Sequence, residues 1–124
     1  MVIGIGVDIV EIERVRRILE KFSDRFLKKV FTAHEMAYCL RYRDPYPRYA
    51  ARFAAKEAVF KALGTGLAQG VKWLEVEIVN SPGGMPQVVL SGKTAALAKE
   101  KGTQKILLSL THGKVEAVAF VFLG

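Results

Sequence analysis

The chain is poor in cysteine, histidine and acid. Of its 124 residues one is a cysteine, Cys39, and two are histidines. A lone thiol makes no internal bridge and no thiolate metal site, so a disulfide scaffold is excluded and a reducing compartment is expected. Cys39 itself reads as a small core residue. Apolar runs such as 117–123 fall far short of the roughly 20 residues needed to cross a bilayer, and the first residues carry no basic leader or cleavage site, so an unprocessed cytoplasmic chain is expected. Acidic side chains number 12 against 19 basic ones, a net charge of +7. That balance attracts something anionic without choosing between nucleic acid, membrane surface, phosphorylated metabolite and acidic protein.

What is present is an apolar majority, 51% of the residues. A chain of this length buries roughly two-thirds of its unfolded surface, enough for one domain over 1–124. Residues 1–8 mix Val and Ile with Gly4 and Gly6 and read as a strand whose glycines let another backbone or ligand come close. The strand ends at Asp8, and Asp8 and Glu11 have capping-box spacing for a helix in which Ile9, Ile12, Val15, Leu19 and Phe22 recur every three or four residues, a basic amphipathic helix. Residues 26–31 suggest a short further turn, and Thr32 with Glu35 repeats the capping spacing. Pro45 and Pro47 break the chain before an Ala-rich helix over 48–63, stopped by Gly64 and the turn Gly64-Thr65-Gly66. Residues 71–79 alternate as a half-buried strand, 80–84 form a turn and 87–90 return. Ser91 can cap a helix up to Gly102. Residues 105–111 and 115–123 form a hairpin with His112 at its bend, and the last strand, apolar at both parities, should be covered on both faces. The sum is α+β.

Two phosphate-binding patterns fail. A dinucleotide fingerprint starting at Gly4-Ile5-Gly6 needs glycine where Ile9 stands, and a P-loop ending in Gly92-Lys93-Thr94 needs glycine where Gln87 stands. One carboxylate is out of place: at about 100° per residue, Glu57 lies about 40° from Phe53 and about 60° from Phe60, at the edge of the apolar stripe. Its bland partner is Lys61 four residues on, but such an exposed pair contributes only about 0.3–0.5 kcal/mol. A divalent cation explains the acid better, because Mg²⁺ takes one or two carboxylates plus phosphate oxygens and water, and Asp8 at a strand end can supply the second. Asp8 as a plain helix cap stays open beside that reading. At a hairpin bend a histidine is more often a turn residue than a catalyst, and for His112 a base or phosphate-binding role is the lesser alternative. Arg14, Arg17, Arg25 and Lys29 alone are a solvated face.

Three segments occur in order: Gly4-Ile5-Gly6-Val7-Asp8, then Phe53-Ala54-Ala55-Lys56-Glu57-Ala58-Val59-Phe60-Lys61, then Ser109-Leu110-Thr111-His112. Together they resemble the motifs of the 4′-phosphopantetheinyl transferases. The length and the segment Lys61-Ala62-Leu63-Gly64-Thr65-Gly66 are similar to the short holo-acyl-carrier-protein synthase branch rather than to the double-length branch. The resemblance implies a small antiparallel sheet packed with a long helix. It implies Mg²⁺-dependent transfer of the phosphopantetheine arm of coenzyme A to a serine hydroxyl of apo-acyl carrier protein. The products are holo-carrier for fatty acid biosynthesis and adenosine 3′,5′-bisphosphate.

Position by position, the resemblance implies that Asp8 and Glu57 hold Mg²⁺ against the diphosphate and that Lys61 neutralises phosphate charge. Arg52, Gly64, Thr65, Gly66, Pro86, Thr111 and His112 would line the coenzyme A cleft. Arg14, Arg17 and Arg25 would dock the acidic carrier by long-range steering. A homotrimer with active sites between subunits is implied as well. Many relatives have Gly where Ala51 stands, and Gly-Lys-Pro where this chain has Gly84-Met85-Pro86, which removes a possible phosphate contact. The competing reading is a small basic nucleic-acid-binding domain stacking bases on strand aromatics. Against it, Phe120 and Phe122 sit in an otherwise apolar strand without interleaved Arg or Lys. Neither nucleic acid nor a membrane is expected as a partner.

Overall fold

The computed structural model describes all 124 residues, and its architecture is α+β. Strand β1 (Gly4–Glu11) pairs antiparallel with β5 (Glu116–Leu123), which pairs antiparallel with β4 (Ile106–His112), giving the sheet order β1-β5-β4. A second sheet is the hairpin β2 (Val76–Asn80) and β3 (Pro86–Leu90). The helices are α1 (Ile12–Val30), α2 (Ala33–Cys39), α3 (Tyr46–Leu63) and α4 (Gly92–Glu100). No helix is long and apolar enough to cross a membrane.

Helix α3 is the centre of the molecule. Ala50, Ala54, Ala55 and Ala58 on it are fully buried, so nothing larger than a methyl group separates its backbone from its neighbours on those sides. The strand answers with glycine. A Cβ at Gly6 would lie 1.9 Å from the Ala58 carbonyl oxygen, and one at Gly4 would lie 2.1 Å from that of Ala62. The backbone that the glycines admit is therefore that of α3. Gly64 ends the helix in the left-handed region at φ 76°, where a Cβ is disfavoured.

A charged pair pins the other side. Glu35 forms the expected capping box with Thr32, and its second oxygen accepts the Ile78 N–H at 2.9 Å. Lys56 Nζ lies 2.8 Å from Glu35 Oε1 and donates to the carbonyls of Trp73 and Val76. Both side chains are completely buried. Beside them the rings of Phe26, Phe53 and Trp73 stack in succession, and Phe60 meets Trp73 edge to face. Cys39 is fully buried as expected, and burial pushes its thiol up to about 12, which makes it inert.

Several local expectations are corrected. β1 runs through Asp8 to Glu11, because β5 is long enough to pair with it as far as Glu116. Asp8 is thus neither at a strand end nor a helix cap, and Glu11, the N-cap of α1, makes no side-chain cap bond. α1 carries the expected short second turn but is broken at Ser23 (φ 46°, ψ −126°). Pro45 and Pro47 open α3 rather than break the chain, since the first turn of a helix has no use for their missing N–H. Residues Trp73–Glu75 form a 3₁₀ turn, so the strand expected over 71–79 starts only at Val76. Ser91 precedes α4 without a side-chain bond. The Glu75 carboxylate caps that helix instead, accepting the N–H groups of Lys93 and Thr94 and the Thr94 hydroxyl. His112 is the last residue of β4, and the bend lies at 113–115.

The last strand is covered on one face only. Ala117, Ala119, Val121 and Leu123 are buried, whereas Phe120 is 46% exposed. The register assembles one outer sheet face from Ile5, Phe122 and Leu107, then Val7, Phe120 and Ser109, then Ile9, Val118 and Thr111. The chain itself places no layer over this face. Period-2 apolarity at both parities states that burial is wanted, not which molecule provides it.

Candidate active site

The site begins where β1 and α3 run closest. With the Gly4 and Gly6 backbone pressed on the Ala58 and Ala62 carbonyls, the next inward-facing position of the strand is Asp8. Helical geometry projects Glu57 and Lys61 together at i and i+4 toward the same edge. Lys61 Nζ lies 2.8 Å from Asp8 Oδ1 and 3.0 Å from the Val7 carbonyl oxygen. Lys61 therefore engages Asp8 rather than forming the simple helical pair with Glu57, and this partner raises its pKa above the ordinary lysine value.

Glu57 is the strained member. Burial and the nearby Asp8 carboxylate push its carboxyl up to about 7, while Lys61 and Arg14 partly oppose the shift. Two acids from segments 49 positions apart thus share one small space beside an ammonium group. Two hard carboxylates with an open side suit a cation that draws its other ligands from phosphate and water. No third carboxylate, histidine or cysteine joins them, so the remaining ligands have to come from substrate and solvent.

The shift makes the stability of metal-free protein pH-dependent. Between the ordinary carboxyl value and about 7, folded Glu57 holds a proton that the unfolded chain has already released, so its contribution falls as pH rises through that window. In chelator the melting temperature of the wild type should drop, relative to that of Glu57→Gln, between pH 5 and pH 8. A difference that stays constant with pH rejects the close approach of the two acids.

The other expected site residues divide by position. Gly64, Thr65 and Gly66 form the turn just beyond Lys61, with the Thr65 hydroxyl donating to the Gly66 carbonyl at 2.9 Å. Arg14 on α1 faces Glu57 electrostatically, and Arg17 and Arg25 are exposed on the same helix. Arg52 lies elsewhere. Five residues before Glu57, it points about 140° away around α3. It is buried beneath Tyr38, its guanidinium carbon 3.9 Å from the ring centroid, and Nη2 donates to Asn80 Oδ1 at 2.6 Å. Its Nε is buried without a partner. Asn80 and Tyr38 line a cavity of about 790 Å³ with His34, Arg41 and the turn that leads to Pro86.

Thr111 and His112 also stand away from the acids. Thr111 lies on the exposed outer sheet face, opposite to the side that carries Asp8. His112 lines a groove with Glu11, Arg16 and Asp44 beyond the end of β1. One chain therefore brings Asp8, Glu57 and Lys61 together and leaves Arg52, Pro86, Thr111 and His112 apart from them.

Sequence reasoning missed the Glu35–Lys56 pair, although a signal was available. Phe53, Lys56 and Phe60 stand at i, i+3 and i+7, so Lys56 occupies an apolar place in a helical stripe and demands a buried anion.

The comparisons with known proteins fit this arrangement. Residues 4–120 match the family model described as the 4′-phosphopantetheinyl transferase superfamily. A holo-[acyl-carrier-protein] synthase of Desulforudis audaxviator is 51% identical over 120 residues, 97% of this chain and 91% of that protein. The crystal structure of the synthase of that name from Neisseria meningitidis superposes with a TM-score of 0.91 at 31% identity, covering 100% of this chain and 99% of that one. The Helicobacter pylori synthase, solved in complex with coenzyme A, gives a TM-score of 0.85 at 30% identity over 97% and 99% of the two chains. The chain belongs to the 4′-phosphopantetheinyl transferase superfamily, and its likeness to the holo-[acyl-carrier-protein] synthases makes it an enzyme of that class.

Proposed function

We propose that the chain transfers the 4′-phosphopantetheine arm of coenzyme A to a serine hydroxyl of apo-acyl carrier protein, releasing adenosine 3′,5′-bisphosphate and supplying holo-carrier for fatty acid biosynthesis. The observation that carries this is the convergence of Asp8, Glu57 and Lys61 in a chain of this family. The coenzyme A bound to the Helicobacter pylori relative supports the donor.

Phosphoryl transfer leaves the protein little covalent work, so its residues act by position and charge. Asp8 and Glu57 would hold Mg²⁺, which when bound supplies positive charge against the diphosphate and the developing charge on phosphorus. Lys61, free to turn from Asp8 to substrate, meets the negative charge left on the bisphosphate as the bridging P–O bond breaks. The serine oxygen forms the new P–O bond, and its proton passes to a carboxylate. Glu57 is the first candidate, directly or through a water, with Asp8 the second. Arg14, Arg17 and Arg25 would draw in an acidic carrier by steering that weakens with added salt.

The separation of the two groups of cleft residues supports active sites shared between subunits of a homotrimer. Arg52 and Glu57 point to opposite sides of one helix, and Thr111 sits at the corner of an uncovered apolar face that includes Ile5, Val7, Ile9 and Phe120. Covering that face with another copy would bury it and carry Thr111 toward the partner, with His112 next to it at the end of β4. The unpartnered Nε of Arg52, beside the cavity that Asn80 lines, suits the nucleotide end of coenzyme A.

The test is one reaction. The protein is mixed with coenzyme A, apo-carrier and Mg²⁺, and the carrier is weighed by mass spectrometry with and without chelator. A carrier heavier by one phosphopantetheine, and unchanged in chelator, is expected. No added mass rejects the transfer, and full transfer in chelator rejects the metal.

A further inference from the structure

Glu57 is flanked in sequence by two residues that hold α3 from different sides. Ala58, one residue on, presses its carbonyl against the bare Cα of Gly6, where even a Cβ would lie at 1.9 Å. Lys56, one residue before, is held by Glu35 from α2 and by the carbonyls of Trp73 and Val76, with neither charged side chain exposed to water. Successive helical residues are about 100° apart, so these two anchors lie about 100° to either side of Glu57.

A helix gripped at one place can still roll about its axis. Gripped on β1 at Ala58 and on the Trp73–Val76 segment at Lys56, it cannot, and a roll of α3 is the motion that would carry Glu57 away from Asp8. The Gly6–Ala58 contact limits approach but is not a directional bond, and the bonds that Lys61 makes from α3 to Asp8 and the Val7 carbonyl come from an exposed ammonium that the proposed reaction turns toward substrate. The three acceptors around Lys56 Nζ supply direction, and they do so only while Glu35, itself fixed by the N–H groups of Thr32 and Ile78, balances the buried charge.

We propose that Glu35 and Lys56 are positioning residues for the Asp8–Glu57 pair, a buried ionic clamp that sets the rotation of α3 and with it the gap in which the two carboxylates receive a divalent cation. This rests on the proposed role of those carboxylates. It adds residues that touch neither substrate nor metal, and a reason for the Lys56-Glu57 dipeptide: the first residue orients the helix so that the second can act.

The test separates position from mere stability. Mn²⁺ affinity is measured by electron paramagnetic resonance in the presence of coenzyme A, without carrier, at a temperature where circular dichroism shows the protein folded. Glu35→Gln leaves Lys56 without its counter-charge while keeping the shape of the side chain. It should melt lower and also bind Mn²⁺ roughly tenfold more weakly, the scale seen when groups supporting a metal ligand are lost. The KM for carrier should stay near wild type. If Glu35→Gln does not fold, Glu35→Asp, which keeps the charge and shortens its reach, is measured in the same way. Mn²⁺ affinity within twofold of wild type in the variant that folds overturns the proposal, whatever its melting temperature. Equal Mn²⁺ binding by wild type and Glu57→Gln overturns the metal reading itself, a separate result.

Discussion

Glu57→Gln and Asp8→Asn should each lower kcat/KM for carrier modification by roughly 10²–10³-fold, the scale expected on removing one fixed stabiliser of transition-state charge. Each substitution keeps size and removes a negative charge, so packing between β1 and α3 survives. The two variants differ in a way that exposes the cause. Glu57→Gln removes the carboxyl that is pushed up to about 7, so metal-free protein should lose its stability penalty above neutral pH. Asp8→Asn removes the anion that pushes Glu57 up and that holds Lys61 at 2.8 Å. Glu57 should then titrate lower, and Lys61 should lose its charged partner while keeping the Val7 carbonyl. Steady-state kinetics with excess coenzyme A and Mg²⁺ measure the first effect, and thermal melts in chelator across pH 5 to 8 the second. Near-normal turnover in both variants would remove the two acids from the mechanism.

Lys56→Met should cost about 3–5 kcal/mol of folding stability, because it strands a fully buried Glu35 carboxylate. A domain holds only about 5–15 kcal/mol in all, so the variant stands near the edge of folding. Many buried ion pairs can be exchanged for apolar residues without loss, and here that exchange should fail. The pair also satisfies backbone groups: Glu35 accepts the N–H groups of Thr32 and Ile78, and Lys56 donates to the carbonyls of Trp73 and Val76. In a Glu35→Leu/Lys56→Met double variant these groups lose those partners, at about 1–3 kcal/mol for each one left unsatisfied. Urea unfolding of the single and double variants decides it. A double variant as stable as wild type would mean that the pair contributes only its own charge balance.

Much of this was legible in the residues. Thr32 and Glu35 announced a capping box, Gly64 a helix stop, and Gly4 and Gly6 a close approach by a backbone or a ligand, because each signal is local and stereochemical. Glu57 drew notice as an acid on an apolar stripe. The errors fell where two periods compete. Ile9 and Val10 suit a strand end and a helix start equally well, and only pairing with Val118 and Ala117 decided for the strand. Residues 73–75 form a 3₁₀ turn rather than a strand, and Trp73 there stacks on Phe53 and meets Phe60 edge to face.

The amino-acid order by itself determined the α+β class, the long alanine-rich helix and the family, since these depend on periodicity, capping and short motifs carried within a few neighbouring positions. The tertiary structure alone decided that Lys61 engages Asp8, that Arg52 points away from Glu57, that Lys56 is locked on Glu35, and that one face of the sheet stays bare. Those are contacts between segments tens of residues apart. They are set by how closely α3 can lie on β1 and by which buried charges must find each other, quantities that no local pattern contains.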